Sequence, residues 1–152
     1  MTSPAPEPEA SGVADLIFDA WNSHDAHALG SAFPVDGEFT DVLGHHAVGP
    51  EAIEQLHAMP FARLFAKAEL TLRGVRVRHL APELAAVHAD WAMEGHTTPQ
   101  GDPLPAREGS MHIVTTLRDG RWLPLDVHNA DYGATYANLR DRDRSGNFRG
   151  QD

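Results

Sequence analysis

Three kinds of side-chain placement in this sequence have the types and spacing for chemistry. The stretch 84–96, LAAVHADWAMEGH, alternates, with His88, Asp90, Glu94 and His96 on even positions and Val87, Trp91, Met93 and Gly95 on odd ones. Such a period of two marks a strand with one polar and one apolar face. His88 and Asp90 are then neighbours, and a carboxylate beside an imidazole fixes its tautomer and raises its basicity. Read on its own, the alternation makes the polar face the solvent side and the apolar face the core. The second placement is Asp41 in FTDVLG, which precedes a turn and can accept hydrogen bonds from backbone amides of the loop Gly44 to Gly49. The third is His57, four residues after Ile53 on an apolar helix face, where it is either a satisfied core histidine or a ligand contact.

Asp119-Gly120 adds a register. A two-residue turn makes Leu117 face Trp122, and continuing the count pairs His112 with Val127 and Ser110 with Asn129. His112 and Asn129 then share one face, while Met111, Ile113, Asp126 and His128 share the other. A one-residue bulge exchanges the two sets and makes His128 with Asp126 the reserve pair.

The chain holds ten histidines, but neither His24-x-x-His27 nor His45-His46 is a recognised metal spacing, and no HExxH is present. No metal is therefore expected. With no nucleophile elbow and no glycine-rich phosphate loop, serine hydrolysis and nucleotide binding are not expected either, and no cofactor is implied.

The elements that must position these residues fit one domain. The chain has 152 residues, 41% hydrophobic and 22% charged, with no cysteine, which argues against global disorder, a membrane span, disulfides and thiolate sites. Twelve Lys and Arg against 22 Asp and Glu leave a net charge of −10, unfavourable for a nucleic-acid partner. A cytoplasmic location is the default.

Residues 1–10, with three prolines and two glutamates, read as a disordered arm, 11–132 as the domain, and 133–152 as a flexible tail. Val13, Leu16, Ile17, Ala20 and Trp21 mark a helix with Ser11 as N-cap. Asp25 caps a short second helix that buries Leu29 and Phe33. Residues 37–43 read as a strand and GHHAVG as a loop. A third helix starts at Pro50 and is kinked or divided at Pro60. Runs 69–80, 84–96, 107–118 and 121–130 are long strands. This order predicts an α+β fold with a curved antiparallel sheet forming a cone around helices.

AWNSHDAHALGSAF, FTDVLG, GPEAIEQLH, DGRW and HNA together resemble the nuclear-transport-factor-2-like superfamily (a cystatin-like roll), its SnoaL-like branch and the SgcJ/EcaC group, over roughly residues 12–132. The resemblance implies a cone-shaped pocket, a homodimer, and functions ranging from ketosteroid isomerases and polyketide cyclases to non-catalytic accessory proteins of enediyne and polyketide pathways. Matched to the isomerases, Asp41 stands where their general base lies, a carboxylate whose pKa partial burial raises toward the working pH. Ile17 replaces their oxyanion-hole tyrosine, and strand 109–118 has no acid to partner it, so steroid isomerase activity is not expected.

The same match turns His88 and Asp90 toward the pocket. It makes the face bearing Val87, Trp91, Met93, Met111, Ile113 and Trp122 a dimer surface. The candidate catalytic residues are then Asp41, His88 and Asp90, and the candidate ligand contacts are Ile17, Phe33, Leu56, His57, Glu94, His112 and Asn129. The expected function is binding of a small hydrophobic or polyketide-like intermediate of secondary metabolism. The alternatives are a cofactor-independent cyclase, isomerase or dehydratase, and a structural partner of a synthase.

Overall fold

The computed structural model describes residues 9–133 of the chain. Helices α1 (Gly12–Asn22) and α2 (Ala26–Ser31) come first, followed by short strands β1 (Glu38–Thr40) and β2 (His46–Val48) and helix α3 (Pro50–Arg63). Four long strands complete it: β3 (Glu69–Ala81), β4 (Leu84–Glu94), β5 (Arg107–Arg118) and β6 (Arg121–Asp131). All six strands form one sheet in the order β2-β1-β6-β5-β4-β3, curled around the helices in the α+β arrangement that the sequence predicts.

Local chemistry sets the element ends. Ser11 occupies the N-cap position of α1 without a side-chain capping bond. Asp25 caps α2 as expected, its Oδ1 accepting from the amides of His27 and Ala28 at 3.0 and 3.2 Å. A Cβ at Gly30 would run into the Pro50 carbonyl oxygen, so glycine lets α2 press on the first turn of α3. Pro60 does not divide α3, which continues to Arg63 before the amides of Leu64 and Phe65 both turn back to the Pro60 carbonyl. Asp119 and Gly120 both have positive φ, 50° and 74°, the geometry that matches a two-residue turn to the twist of its strands.

Several expectations are corrected. The strand at 37–43 is limited to three residues, and the loop after it contains β2. β1 pairs with β6 in parallel, Phe39 opposite Val127, so the sheet is mixed rather than purely antiparallel. The ordered chain starts before residue 11, because Ala10 keeps only 2% of its surface and joins the core. Residues 1–8 of the expected arm and 134–152 of the expected tail lie outside the described residues.

The register counted from the turn holds through Thr115 opposite Pro124. Val114 then pairs with Asp126 and leaves Leu125 unpaired. Pro124 has no amide hydrogen for the ladder and sits at this irregularity. The bulge exchanges the two sets of side chains, so that His112 faces His128 and Met111 faces Asn129.

Val87, Ala89, Trp91, Met93, Met111, Ile113 and Val127 form one cluster with Ile17, Trp21, Leu29, Ile53 and Phe61 of the helices. The face expected as a dimer surface is thus the core, and Trp91 keeps 2% of its surface in the single chain. The helices supply apolar partners on that side only, and at about 25 cal/mol per Å² of buried apolar surface the apolar row of β4 goes to them.

Trp91 lies flat against Gly109, where an added methyl would overlap both the indole and the Ala130 carbonyl oxygen. Gly109→Ala is therefore expected to cost about 1 to 3 kcal/mol through overpacking. The loss should appear as a lower urea midpoint with an unchanged slope; an unaltered midpoint would contradict this seating of the indole.

Candidate functional site

The sequence candidates separate into three places. His88, Asp90, Glu94 and His112 lie on the convex face of the sheet, away from the helices. Cross-strand register puts Arg76, His88, His112, His128, Thr40 and His46 in one row there. His88 Nε2 and Asp90 Oδ1 do meet, at 3.2 Å, and the Tyr132 hydroxyl donates to the same oxygen at 3.0 Å. Their side chains are 29% and 44% exposed, so the pair forms on the outside and does not converge with Asp41 and Asn129. The alternation of β4 alone gives the right face; the match to isomerases inverts it. His96 follows the alternation in number but not in place. β4 ends at Glu94, Gly95 turns the chain at φ 84°, and His96 is buried with its Nδ1 unpartnered among the described residues.

Ile17, Phe33 and Leu56 belong to the packed interior. Ile17 is fully buried, Phe33 nearly so, and Leu56 packs against the same cluster. They hold α1, α2 and α3 to the sheet.

Asp41, His57 and Asn129 stand at one end of the concave side. Asp41 caps its own loop: Oδ1 accepts from the amides of Leu43 and His45 at 2.9 and 2.8 Å, and Oδ2 lies 3.1 Å from His45 Nδ1. Both oxygens are occupied. His57 lies 4.6 Å from the Phe39 ring and 5.4 Å from that of Phe61, centroid to centroid. Its Nδ1 is 2.8 Å from the Ile53 carbonyl. A carbonyl only accepts, so the neutral ring carries its proton on Nδ1 and its lone pair on Nε2. Burial lowers the His57 pKa below the ordinary 6.5, opposed by the Ile53 carbonyl and by the charge of Asp41. Asn129 Oδ1 accepts from Trp91 Nε1 at 2.7 Å, which fixes the amide orientation because the indole can only donate. Arg107 stacks 5.7 Å from the Trp91 ring and donates to Asp131 at 2.7 Å.

Among the described residues the helices leave the opposite end of the concave side uncovered. Beyond α1, the sheet leaves a groove of about 710 Å³ lined by Val77, His79, Pro82, Leu117 and Trp122, with Glu9 to Ser11 along its rim. His79 meets Trp122 edge to face at 5.9 Å. The volume falls in the range of small-molecule sites, about 300 to 1,000 Å³. No sequence candidate lines it. The available signal was the odd-numbered run Val75, Val77, His79 on β3, which the hairpin register sets on the same side as Trp122.

The histidines weighed as metal ligands are otherwise engaged: His24 donates to the Ala68 carbonyl at 2.7 Å, and His27 and His46 meet Glu54 and Glu38 at 2.8 Å. Among the described residues no group of three potential ligands converges, and no helix there is long and apolar enough to cross a membrane.

Comparison with known proteins gives a family match over residues 14–123, to the SnoaL-like domain. No curated protein matches. Among solved structures the chain is similar to a protein of cystatin-like fold from Caulobacter vibrioides, with 23% identity, TM-score 0.75, and 88% of this chain and 94% of that one covered. It is also similar to a nuclear transport factor 2-like superfamily protein from Salmonella enterica, with 18% identity, TM-score 0.69 and 82% and 89% covered. A ketosteroid isomerase-like protein from Erwinia carotovora matches at 15% identity, TM-score 0.66, with 80% and 92% covered. At these identities the likeness is one of fold.

The two buried histidines predict a pH dependence. Burial is the main cause of the lowered pKa at both, and Arg107 adds to it at His96 against the charge of Asp131. A histidine with a lowered folded-state pKa binds its proton more readily in the unfolded chain, so its contribution is complete above the unfolded value and is lost as pH falls below about 6.5. Urea unfolding at pH 7.5 and 5.5 should show lower stability at 5.5. His57→Gln should narrow the difference, and an unchanged difference would contradict the burial of a neutral ring.

Proposed function

We propose that this chain, which belongs to the SnoaL-like domain family, binds a small, flat, hydrophobic molecule of polyketide type in the open groove of its cone. In this reading it serves as a cytoplasmic accessory protein of secondary metabolism rather than as the catalyst of a step. The observation that carries the reading is the groove itself. Its walls are the Trp122 and His79 rings and the side chains of Val77, Leu117 and Pro82, with Glu9, Ala10, Ser11 and Gly120 also lining it, and aromatic and aliphatic walls beside polar groups suit a flat ligand held by stacking, burial and hydrogen bonds. The proton-transfer set does not assemble around it: Asp41 is committed to its loop, His88 with Asp90 faces outward, and Ile17 offers no oxyanion donor.

A second reading rests on His57. It is a neutral imidazole with its proton fixed on Nδ1, near the carboxylate of Asp41, and so has the form of a general base. In that case the chain is a cofactor-independent isomerase, cyclase or dehydratase with His57 Nε2 accepting the proton. The ketosteroid isomerase-like neighbour of the same fold makes this class chemically reasonable, while the missing oxyanion donors weigh against it.

The two readings separate on two probes. 1,8-Dihydroxyanthraquinone, a tricyclic polyketide-like compound, is expected to bind the purified protein and quench Trp122, the most exposed of the three tryptophans. Val77→Glu should weaken binding at least tenfold, since a charge in the groove would be desolvated by the ligand. His57→Gln should leave it unchanged. Absence of binding, or a Val77→Glu variant that binds equally well, would refute the groove as the site. For the enzyme reading, proton exchange at the activated methylene of anthrone, catalysed by the wild type and slowed by about 10² to 10⁴ in His57→Gln, is the expected result.

A further inference from the structure

The strand order gives β3 a single neighbour, β4, so a strand of 13 residues forms one edge of the sheet. Among the described residues the chain closes that edge only at its start. The Asn22 side chain, at the end of α1, pairs with Leu70 as a strand would: its Nδ2 donates to the Leu70 carbonyl and its Oδ1 accepts from the Leu70 amide, both at 2.8 Å. Leu70 therefore aims its backbone groups out of the sheet. Backbone direction and side-chain face alternate together along a strand. Val75, Val77 and His79 share the face of Leu70, opposite Ala89, Val87 and Ala85, so they aim their amides and carbonyls outward too. No described residue bonds these groups.

Charge sets this edge apart from the rest of the molecule. In a chain of net charge −10, β3 carries Arg73, Arg76 and Arg78 against one acid, Glu69. Arg73 and Arg78 are exposed and make no ion pair among the described residues. Arg76 and Arg78 lie on the convex side, opposite His88 and Ala86, while Val75 and Val77 keep 41% and 37% of their surface on the other side. We propose that this edge takes an extended segment of a partner protein as an added strand, a segment in which acidic residues alternate with apolar ones. Its backbone meets the free groups of Val75, Val77 and His79, its apolar side chains cover the two valines, and its carboxylates reach Arg76 and Arg78. A second copy of this chain does not suit the same edge. Laid alongside about a two-fold axis at Val77, it would set Arg76 of each chain beside Arg78 of the other, and like charges directly opposite work against pairing.

Fluorescence anisotropy of the full chain with a labelled peptide of four Glu-Val repeats tests it. Saturable binding is expected, and Arg78→Glu, which sets acid against acid, should raise the dissociation constant at least tenfold. Val75→Pro removes an outward amide that the β4 ladder does not use, and should abolish binding with unchanged circular dichroism. The same peptide N-methylated throughout, which keeps its charges and loses its backbone donors, should not bind the wild type. A Glu-Val peptide that fails to bind overturns the proposal. So does binding that survives N-methylation, which would mean a contact of charges without an added strand, or binding indifferent to Arg78→Glu, which would remove the basis for an acidic partner. Self-association of the chain that the peptide competes away would make a second copy the occupant, and it too would overturn the proposal.

Discussion

One unpaired residue, Leu125, decides which side chains share the inside of this molecule. The β5–β6 ladder starts at a tight Asp119-Gly120 turn that sets Leu117 opposite Trp122. Without a bulge, strict alternation would carry Val127 and Asn129 to the convex side and bring Asp126 and His128 against the helices. Skipping Leu125 turns the strand over, so that Trp122 at one end and Val127 at the other both point inward. The neighbouring elements depend on that choice. Phe39 of β1 sits opposite Val127, His57 rests on Phe39, and Trp91 finds Asn129 as its acceptor. The deep end of the cone is closed by aromatic packing, while among the described residues the helices do not cover the end before the bulge, where Trp122 lies.

The bulge also explains what was legible in the sequence. Punctuation by Ala81-Pro82-Glu83, Asp119-Gly120 and Pro99 to Pro103 places the four long strands to within a residue or two, because turn chemistry is local. The apolar row of β4 against its polar row likewise fixes the inner face correctly from alternation alone. A bulge leaves no comparable local mark: Pro124 hints at it only by lacking a donor. The parallel pairing of β1 with β6 joins residues almost ninety positions apart in sequence, and β2, only three residues long, has the composition of a loop.

The candidate site was legible in part for the same reason. Asp41, His57 and Asn129 do reach one end of the concave side, and the loop-capping use of Asp41 follows from Asp before a turn. The outward placement of His88, Asp90 and His112 follows from alternation, with His112 opposite His88, while the bulge sets Asn129 on the other side from them. A residue-by-residue match to isomerases of distant sequence shifts that face, because fold is shared at identities where strand register is not. The groove escaped because it exists only where β3 and the β5–β6 hairpin outrun the helices, and the relative lengths of packed elements are a tertiary property.

The distribution of charge across the sheet sets what the inside can do. Among the described residues, the buried polar side chains are His57, His96, Thr115 and Thr116, and no carboxylate is among them. Both histidines are held toward the neutral form by burial. Proton abstraction by His57 would create an imidazolium among Phe39, Phe61 and the Ile53 carbonyl, with the partly exposed Asp41 as its nearest named counter-charge, and an enolate with no dedicated donor at Ile17. Stabilising only one of the two charges made in such a step leaves most of the barrier in place, since both develop together in a medium that screens poorly. Binding asks for neither charge. In the proposed reading, the groove walled by Trp122, His79, Val77, Leu117 and Pro82 holds its ligand through buried area and stacking, and needs neither charge.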